Sequence, residues 1–267
     1  MEDNIFSQIK SHASLIKAYF FINGKTVLEY KKAFILQTIT MFLNDLIWIF
    51  FWWLFFTRFP LINEWTYYDL LLLWVFGTTG FGLSGLIFGN KSQISELISE
   101  GKLDYYLTLP KNVLLHALTS RMNWFAFGDL LFGLTLAVIL IPIEKLPLTL
   151  LCIISSTLLF VAFGVIAGSL AFYLGKSERI SKNIYNIAVG FAIYPPNVYD
   201  GITKIILFTI IPVGLIAGMP VELLKNFNLT NLIWLIVIST LFVIISIIIF
   251  YKGLKKYESG NQIYVNA

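Results

Sequence analysis

Long apolar runs dominate the chain and are separated by short polar segments. Runs of about twenty or more mostly apolar residues suit the roughly 30 Å hydrocarbon core of a bilayer. They lie at 33–56, 69–89, 113–141, 148–174 and 232–251, and each predicts a membrane-spanning helix. The pattern therefore predicts an all-α integral membrane protein with lipid covering much of its apolar surface.

The stretch 184–219 does not fit a single span. As one helix it would be ~54 Å long at 1.5 Å per residue, and Pro195, Pro196 and Gly201 break it near the middle. We expect a short fifth span at 180–194, followed by a re-entrant hairpin at 202–218 that dips into the outer leaflet. The prediction is six transmembrane helices; a seventh full span is the alternative and would place the C-terminus outside.

The distribution of basic residues favours six spans. With six spans and both termini in the cytoplasm, most lysines lie in cytoplasmic segments, and the outer segments hold Arg58, Lys145, Lys204 and Lys225. This imbalance agrees with the positive-inside rule. Seven spans would move the C-terminal lysines outside. We therefore expect a multi-pass protein of the cell membrane with both termini cytoplasmic.

The topology divides the chain into three segments. Residues 1–32 form a cytoplasmic N-terminal region, where Ile5, Ile9, Ile16 and Phe20 recur at near-helical spacing beside lysines. This spacing predicts an amphipathic helix on the inner membrane surface; a disordered basic tail is the alternative. Residues 33–257 form the transmembrane domain, and residues 258–267 form a cytoplasmic tail.

Composition narrows the function classes. The chain is 58% hydrophobic and 13% charged, far from a soluble domain. The lone Cys152 and the distant His12 and His116 give no cluster at metal-ligand spacing. Because the net charge of +4 is spread along loops beside apolar runs, it does not predict nucleic-acid binding.

Two glycine patterns resemble nucleotide sites without their context. Residues 80–85 match G-x-G-x-x-G but lie inside an apolar run, and residues 23–26 end like a P-loop with Tyr19 where its first glycine should stand. No catalytic set appears either. We therefore expect a chain that is not an enzyme and binds no cofactor. The G-x-x-x-G pairs at 85/89, 164/168 and 214/218 instead predict close helix packing.

Three charged residues fall inside predicted spans: Asp45, Arg121 and Asp129. Such residues are costly in a bilayer and normally face protein or water. A structural ion pair, with Asp45 as the expected partner of Arg121, and a substrate or proton path are both open interpretations.

The second predicted cytoplasmic loop, at 91–111, has an amphipathic pattern. Ile94, Leu97 and Ile98 are spaced as one face of a short helix at 92–100. Gly101 can end that helix, and Pro110 can open the next one. A helix too short to span is well placed to transmit force from a cytoplasmic partner.

Within this loop, the run Gly-Lys-Leu-Asp-Tyr-Tyr-Leu-Thr-Leu-Pro at 101–110 resembles the G-x-L-D-x-x-L-x-x-P stretch of the six-span permeases of type-two ABC exporters. The segments at 28–34, 120–121, 127–133 and 194–199 are similar to that family too. The family usually has arginine where Lys31 or Lys32 stands, and Pro196 is a further departure. The similarity covers roughly residues 15–255.

The resemblance implies a permease subunit of an ATP-driven exporter. ATP would be hydrolysed by separate cytoplasmic ATPase subunits, and the permease would pair with itself or with a related permease in the lipid. The loop 91–111 would be the main ATPase-docking site and the loop 176–182 a secondary one. The predicted docking residues are Ile94, Leu97, Ile98, Gly101, Leu103, Asp104 and Arg179. A secondary transporter or channel without an ATPase is the alternative; a membrane enzyme ranks last.

Overall fold

The computed structural model describes residues 5–110 and 112–258, with side chains from Lys10 onward. The protein is 82% helical, as predicted, and the described residues form no β-strand. The helices are α1 Ile5–Glu29, α2 Lys31–Arg58, α3 Tyr67–Ile87, α4 Ile94–Ser99, α5 Leu103–Leu107, α6 Val113–Thr119, α7 Phe127–Leu140, α8 Leu146–Ser169, α9 Ala171–Leu174, α10 Glu178–Phe191, α11 Gly201–Thr209, α12 Met219–Lys225 and α13 Leu229–Leu254.

Four helical segments in the described chain are long and apolar enough to cross a membrane: Lys31–Arg58, Tyr67–Ile87, Ile143–Leu174 and Leu229–Leu254. They match the predicted first, second, fourth and last spans. The predicted fifth span corresponds to α10, whose 14 residues reach only about 21 Å. The total of six spans therefore remains a prediction, and the predicted tail at 258–267 lies outside the described residues except for residue 258.

The predicted third span is wrong as a single helix. It divides into α6 and a second helical piece, Trp124–Leu140, bent by 64° from α6. The break is held to α3, because the backbone amide of Asn123 donates to the carbonyl of Gly85 at 3.0 Å. Pro110 does not open α6 either; Asn112 does, with its side chain accepting from the amide of Leu115 at 3.0 Å.

A second sharp bend lies in the stretch predicted to be re-entrant. Helix α11 and the segment Gly214–Lys225 meet at 73°, beside Pro212, which has no amide hydrogen to continue a helix. The second arm extends beyond the predicted end at 218, through a π-helical turn Gly214–Gly218 into α12. The bend fits a re-entrant hairpin or a broken span.

The bundle is built around α3 and α8, which approach closely where glycines remove side chains. A Cβ added at Gly80 would lie 2.7 Å from that of Ser156, and one at Gly82 would lie 2.6 Å from the backbone nitrogen of Leu130 on α7. Such contacts exclude any larger residue without movement of the helices. Helix α13 packs on α8 through a narrow stripe. That stripe consists of Leu235, Ser239, Phe242, Ser246, Phe250 and Gly253.

Helix α1 packs against the break at α6. The hydroxyl of Tyr19 lies 3.0 Å from Nδ1 of His116, and the side-chain amide of Asn23 donates to the carbonyl of Ser120 at 3.2 Å. The predicted N-terminal helix is therefore present, whereas its place on the membrane surface remains a prediction. Ile5 and Ile9 lie outside the described side chains.

The end of α3 that the topology places outside is fixed by an ion pair. Asp69 forms a capping box with Thr66 at the start of the helix. Oδ2 of the same carboxylate lies 3.0 Å from Nζ of Lys225, at the end of α12. The Asp69 side chain is only 4% exposed. The pair therefore ties the bent segment to the central helix.

Candidate functional site

The predicted amphipathic helix is α4, and the bundle itself covers its apolar face. Gly101, at φ 69°, adopts the left-handed conformation after the end of α4, as predicted. Ile94, Leu97 and Ile98 are buried. At Gly168 of α8, an added Cβ would lie 2.6 Å from the Cβ of Ile94. The loop therefore packs against α8 at the G-x-x-x-G pair 164/168.

This burial corrects the expectation that the three apolar side chains are offered to a partner. They belong to a cluster that includes Leu103, Val165 and Phe250, so a partner protein would not reach them without unfolding the loop. The sequence pattern identified the helix and its apolar face correctly. It did not reveal that α8 and α9 pack against that face.

The outward side of α4 is charged and meets the start of α10. Nζ of Lys182 donates to Oε2 of Glu96 at 2.9 Å. The same glutamate lies 3.8 Å from Lys102, which also pairs with Glu100. The hydrogen bond from Lys182 lowers the pKa of Glu96, and the positive charges of Lys182 and Lys102 add to the effect. The two predicted cytoplasmic loops are thus joined in one surface.

We name this surface the α4–α10 face. It consists of Glu96, Glu100, Lys102, Glu178, Arg179 and Lys182. Arg179 is exposed, whereas Asp104 is half-buried. Beside the face lies a groove of about 230 Å³ between Ile98, Phe172 and Tyr257. The face and groove offer charged, partly open surface to a partner.

The predicted pair of Asp45 with Arg121 does not form. Arg121 is exposed at the break after α6 and lies outside the helices. Among the described residues, no ion pair joins it to Asp45. Asp45 instead faces Asp129, and the two carboxylates repel each other. They line a cavity of about 170 Å³ within the bundle.

Lys91 is a buried cation near this cavity that the sequence did not identify. It lies in the turn Gly89–Ser92, outside the spans, and is 4% exposed. Its ammonium lies 5.2 Å from the ring centroid of Phe81 and 5.9 Å from that of Tyr185. Burial lowers the pKa of Lys91 to about 7, and the carboxylate of Asp129 opposes this shift.

The charge count treated Lys91 as an ordinary loop lysine. The one feature of the sequence that could have placed it is Gly164. A Cβ there would lie 3.0 Å from the carbonyl oxygen of Lys91, so the glycine marks where the loop crosses α8. Asn90 fixes the same turn, because its side-chain amide donates to the carbonyl of Ala117 and the hydroxyl of Ser120, both at 2.8 Å.

Neither nucleotide-like pattern forms a phosphate loop. Residues 80–85 lie within α3 and residues 23–26 within α1. Within residues 5–110 and 112–258, no three His, Cys, Asp or Glu side chains are grouped so that they could hold a metal ion.

A comparison with protein families matches residues 13–261 to the family described as "ABC-2 family transporter protein". Neither the curated proteins nor the solved structures give a match to the chain.

Proposed function

Because the chain belongs to the ABC-2 family of transporter proteins, and so is the membrane-spanning subunit of an ABC transporter, we propose that a separate cytoplasmic ATPase drives it to export its cargo. The ATPase docks on the α4–α10 face. The observation that carries this proposal is the 2.9 Å pair of Lys182 with Glu96. It joins the two loops that we predict to dock the ATPase.

The packing beneath the α4–α10 face supports a route for force. The apolar side of α4 packs on Gly168 of α8, and the turn before α4 packs on Gly164. That turn is also bonded to α6 through Asn90. A displacement of α4 is therefore transmitted directly to α8 through close packing, without a flexible linker. Rigid packed elements of this kind carry conformational coupling between distant sites.

Both termini lie in the cytoplasm of a cell whose plasma membrane holds the protein, in keeping with the distribution of basic residues. A second permease, identical or related, covers part of the exposed apolar side of α2. That side includes Leu36, Leu43 and Ile47, and lipid covers the remainder.

The docking proposal is tested by reversing one charge on the α4–α10 face. Arg179→Glu removes an exposed cation without disturbing the pair of Glu96 with Lys182. We expect co-purification of the ATPase to fall about tenfold, equivalent to about 1.4 kcal/mol, and ATP turnover of the complex to fall with it. Pull-down at equal permease levels measures the first effect.

Arg58→Glu is the matched control, because Arg58 is also exposed but ends α2 on the predicted outer side. It should leave ATPase association unchanged. Normal association of Arg179→Glu, or equal loss in both variants, would contradict docking at this face. Cargo movement that persists in cells lacking the ATPase would favour a secondary transporter.

A further inference from the structure

The cavity within the bundle has both acidic and aromatic walls. It measures about 170 Å³ and lies between α2, α3, α7, α8 and the end of α10. Asp45 and Asp129 supply its acidic groups, and the aromatic rings around it are those of Trp48, Trp74, Phe81 and Phe160.

Two buried atoms of the described lining have no hydrogen-bond partner: Oδ2 of Asp45 and Nε1 of Trp74. Asp45 is only 4% exposed, and its carboxyl group has a hydrogen bond with Asn44 but no cation beside it. Burying an uncompensated carboxylate is expensive, so such groups are normally paired. The nearby Asp129 adds repulsion. A cation placed in the cavity would relieve both costs.

The formal charges of the groups around the cavity would be balanced by one further positive charge. Lys91 approaches from the cytoplasmic side and interacts with Asp129. Among the described residues, neither Lys91 nor Asp129 has an ion-pair partner within 4.0 Å. Counted as ionised, two carboxylates and one ammonium sum to a single negative charge, which we assign to Asp45 because Lys91 interacts with Asp129.

The walls favour an organic cation over a metal ion. Calcium requires six to eight oxygen ligands and magnesium a near-octahedral set, whereas among the described residues only four side chains with an oxygen atom line the cavity: Asn44, Asp45, Thr78 and Asp129. Aromatic faces attract ammonium and guanidinium groups. A cavity of about 150 Å³ can hold benzene, so this one accepts a group of about one ring in size.

We propose that this cavity binds one monovalent organic cation, an ammonium or guanidinium group on a small apolar body, with Asp45 as its counter-ion. Describing that ligand as cargo rests on the proposed transport function, whereas the binding itself does not. An amine of a phospholipid headgroup has the same chemistry as a free cation. Entry past the lipid-exposed helix α2 is open to both.

The test uses three probes of similar size: phenethylammonium, neutral 2-phenylethanol and the anion phenylacetate. Calorimetric titration of the purified permease in detergent, without ATPase, should show binding of the cation. Binding of 2-phenylethanol should be at least tenfold weaker, and phenylacetate should not bind. Equal binding of the cation and 2-phenylethanol would overturn the proposal.

Asp45→Asn keeps the shape of the side chain and removes its charge, so the affinity for phenethylammonium should fall at least tenfold. Asp200→Asn, which removes an exposed carboxylate outside the cavity, should leave it unchanged. Because repulsion from Asp129 is removed, Asp45→Asn should not lower the melting temperature of the unliganded protein. Unchanged affinity in Asp45→Asn would contradict the proposal.

Trp48→Leu is a second variant that keeps both carboxylates. Trp48 faces the cavity from α2 and is 36% exposed, so its replacement leaves the central packing intact. We expect a several-fold loss of cation affinity; no loss would contradict the aromatic contribution. Arg179→Glu should bind the cation normally, which separates failure of docking from failure of this site.

Nanodiscs distinguish the two sources of the cation. Affinity for phenethylammonium is compared in phosphatidylglycerol alone and in phosphatidylglycerol with phosphatidylethanolamine. Weaker binding in the amine-containing lipid would support a headgroup as the natural occupant. Equal binding in both would support a free cation. Absence of binding in both lipids and in detergent would overturn the proposal.

Discussion

Helices α2 and α3 are neighbours with almost equal mean hydropathy, yet they occupy different surroundings. Their most apolar windows have mean hydropathy 1.7 and 1.8, but 17% of the α2 window is buried within the protein against 78% for α3. The same contrast separates α13 from α8, at 22% and 67%. Hydropathy therefore reports whether a helix enters the membrane and not where it sits in the bundle.

The reason is that lipid and protein core are equally apolar. A leucine gains little by moving from lipid to a helix interface, so packing and small residues decide which helices are central. Helix α3 carries Gly77, Gly80, Gly82 and Gly85, whereas α2 carries no glycine. The distribution of glycine distinguishes the two helices where hydropathy does not.

The largest effect should come from filling a glycine contact of α3. In Gly82→Val, the new Cβ would lie 2.6 Å from the backbone nitrogen of Leu130 and 2.8 Å from the carbonyl oxygen of Ala126. Both are backbone atoms of α7 or of the turn directly before it, so the clash cannot be relieved without moving α3 away from α7. We expect little folded protein, measured as the monodisperse fraction in gel filtration.

Gly190→Val on α10 is the control for that substitution. A Cβ there meets no described atom within 4 Å, so it carries the same β-branched penalty in a helix without the clash. Its monodisperse fraction should stay near that of the native protein. An equal loss of monodisperse protein in both variants would mean that close helix approach at glycine does not determine the central position of α3.

Sequence predicted the fold well where length and hydropathy suffice. The first, second, fourth and last spans and the short helix α4 are close to their predicted positions. The break after α6 was missed because a hydrogen bond from Asn123 to Gly85 fixes it, and that contact joins residues far apart in the chain. A hydropathy pattern contains no information on such a bond.

The candidate sites were predicted less completely for the same reason. Asp45 and Asp129 were identified as intramembrane charges, but not that they face each other. Periodicity predicted the apolar face of α4 but not that α8 packs against it. Lys91 is basic and lies in a loop, as predicted, yet it points inward because the loop crosses a glycine. These features depend on which helices are adjacent.

A middle-sized effect should follow from breaking the ion pair that fixes the N-terminal end of α3, which the predicted topology places outside. Lys225→Met leaves Asp69 buried and without its cation, which we expect to cost about 2 kcal/mol of stability, below the value for fully buried pairs because Lys225 is partly exposed. Thermal unfolding in detergent measures this change. Arg58→Met, at the exposed outer end of α2, should cost at most about 0.5 kcal/mol.

Adding Asp69→Asn to Lys225→Met should recover part of the loss, because the second change removes the unpaired charge. Recovery will be incomplete, since Asp69 also accepts from the backbone amide and hydroxyl of Thr66. A double variant less stable than Lys225→Met would show that the capping role of Asp69 outweighs its pairing with Lys225. The ion pair at the start of α3 would then contribute less to stability, and the contrast with Arg58 at the end of α2 would be smaller.

The smallest effect should appear at the opposite ends of the same two helices, where Lys91 is buried after α3 and Lys32 is exposed at the start of α2. Burial lowers the pKa of Lys91 from 10.5 to about 7. Between these values the unfolded chain holds a proton that the folded protein lacks, so stability rises with pH. The cost of burying the charged Lys91 is full below about pH 7 and absent above the pKa of the unfolded chain.

From pH 7 to pH 9 the native protein should therefore gain a few degrees in melting temperature relative to Lys91→Met, whereas Lys32→Met should show the native pH dependence. Asp129 and Tyr185 also face the Lys91 amine, and Asp129→Asn should steepen the rise, because its carboxylate is what holds the proton on Lys91. An identical pH dependence in Lys91→Met and Lys32→Met would show that the two lysines titrate alike despite their different burial.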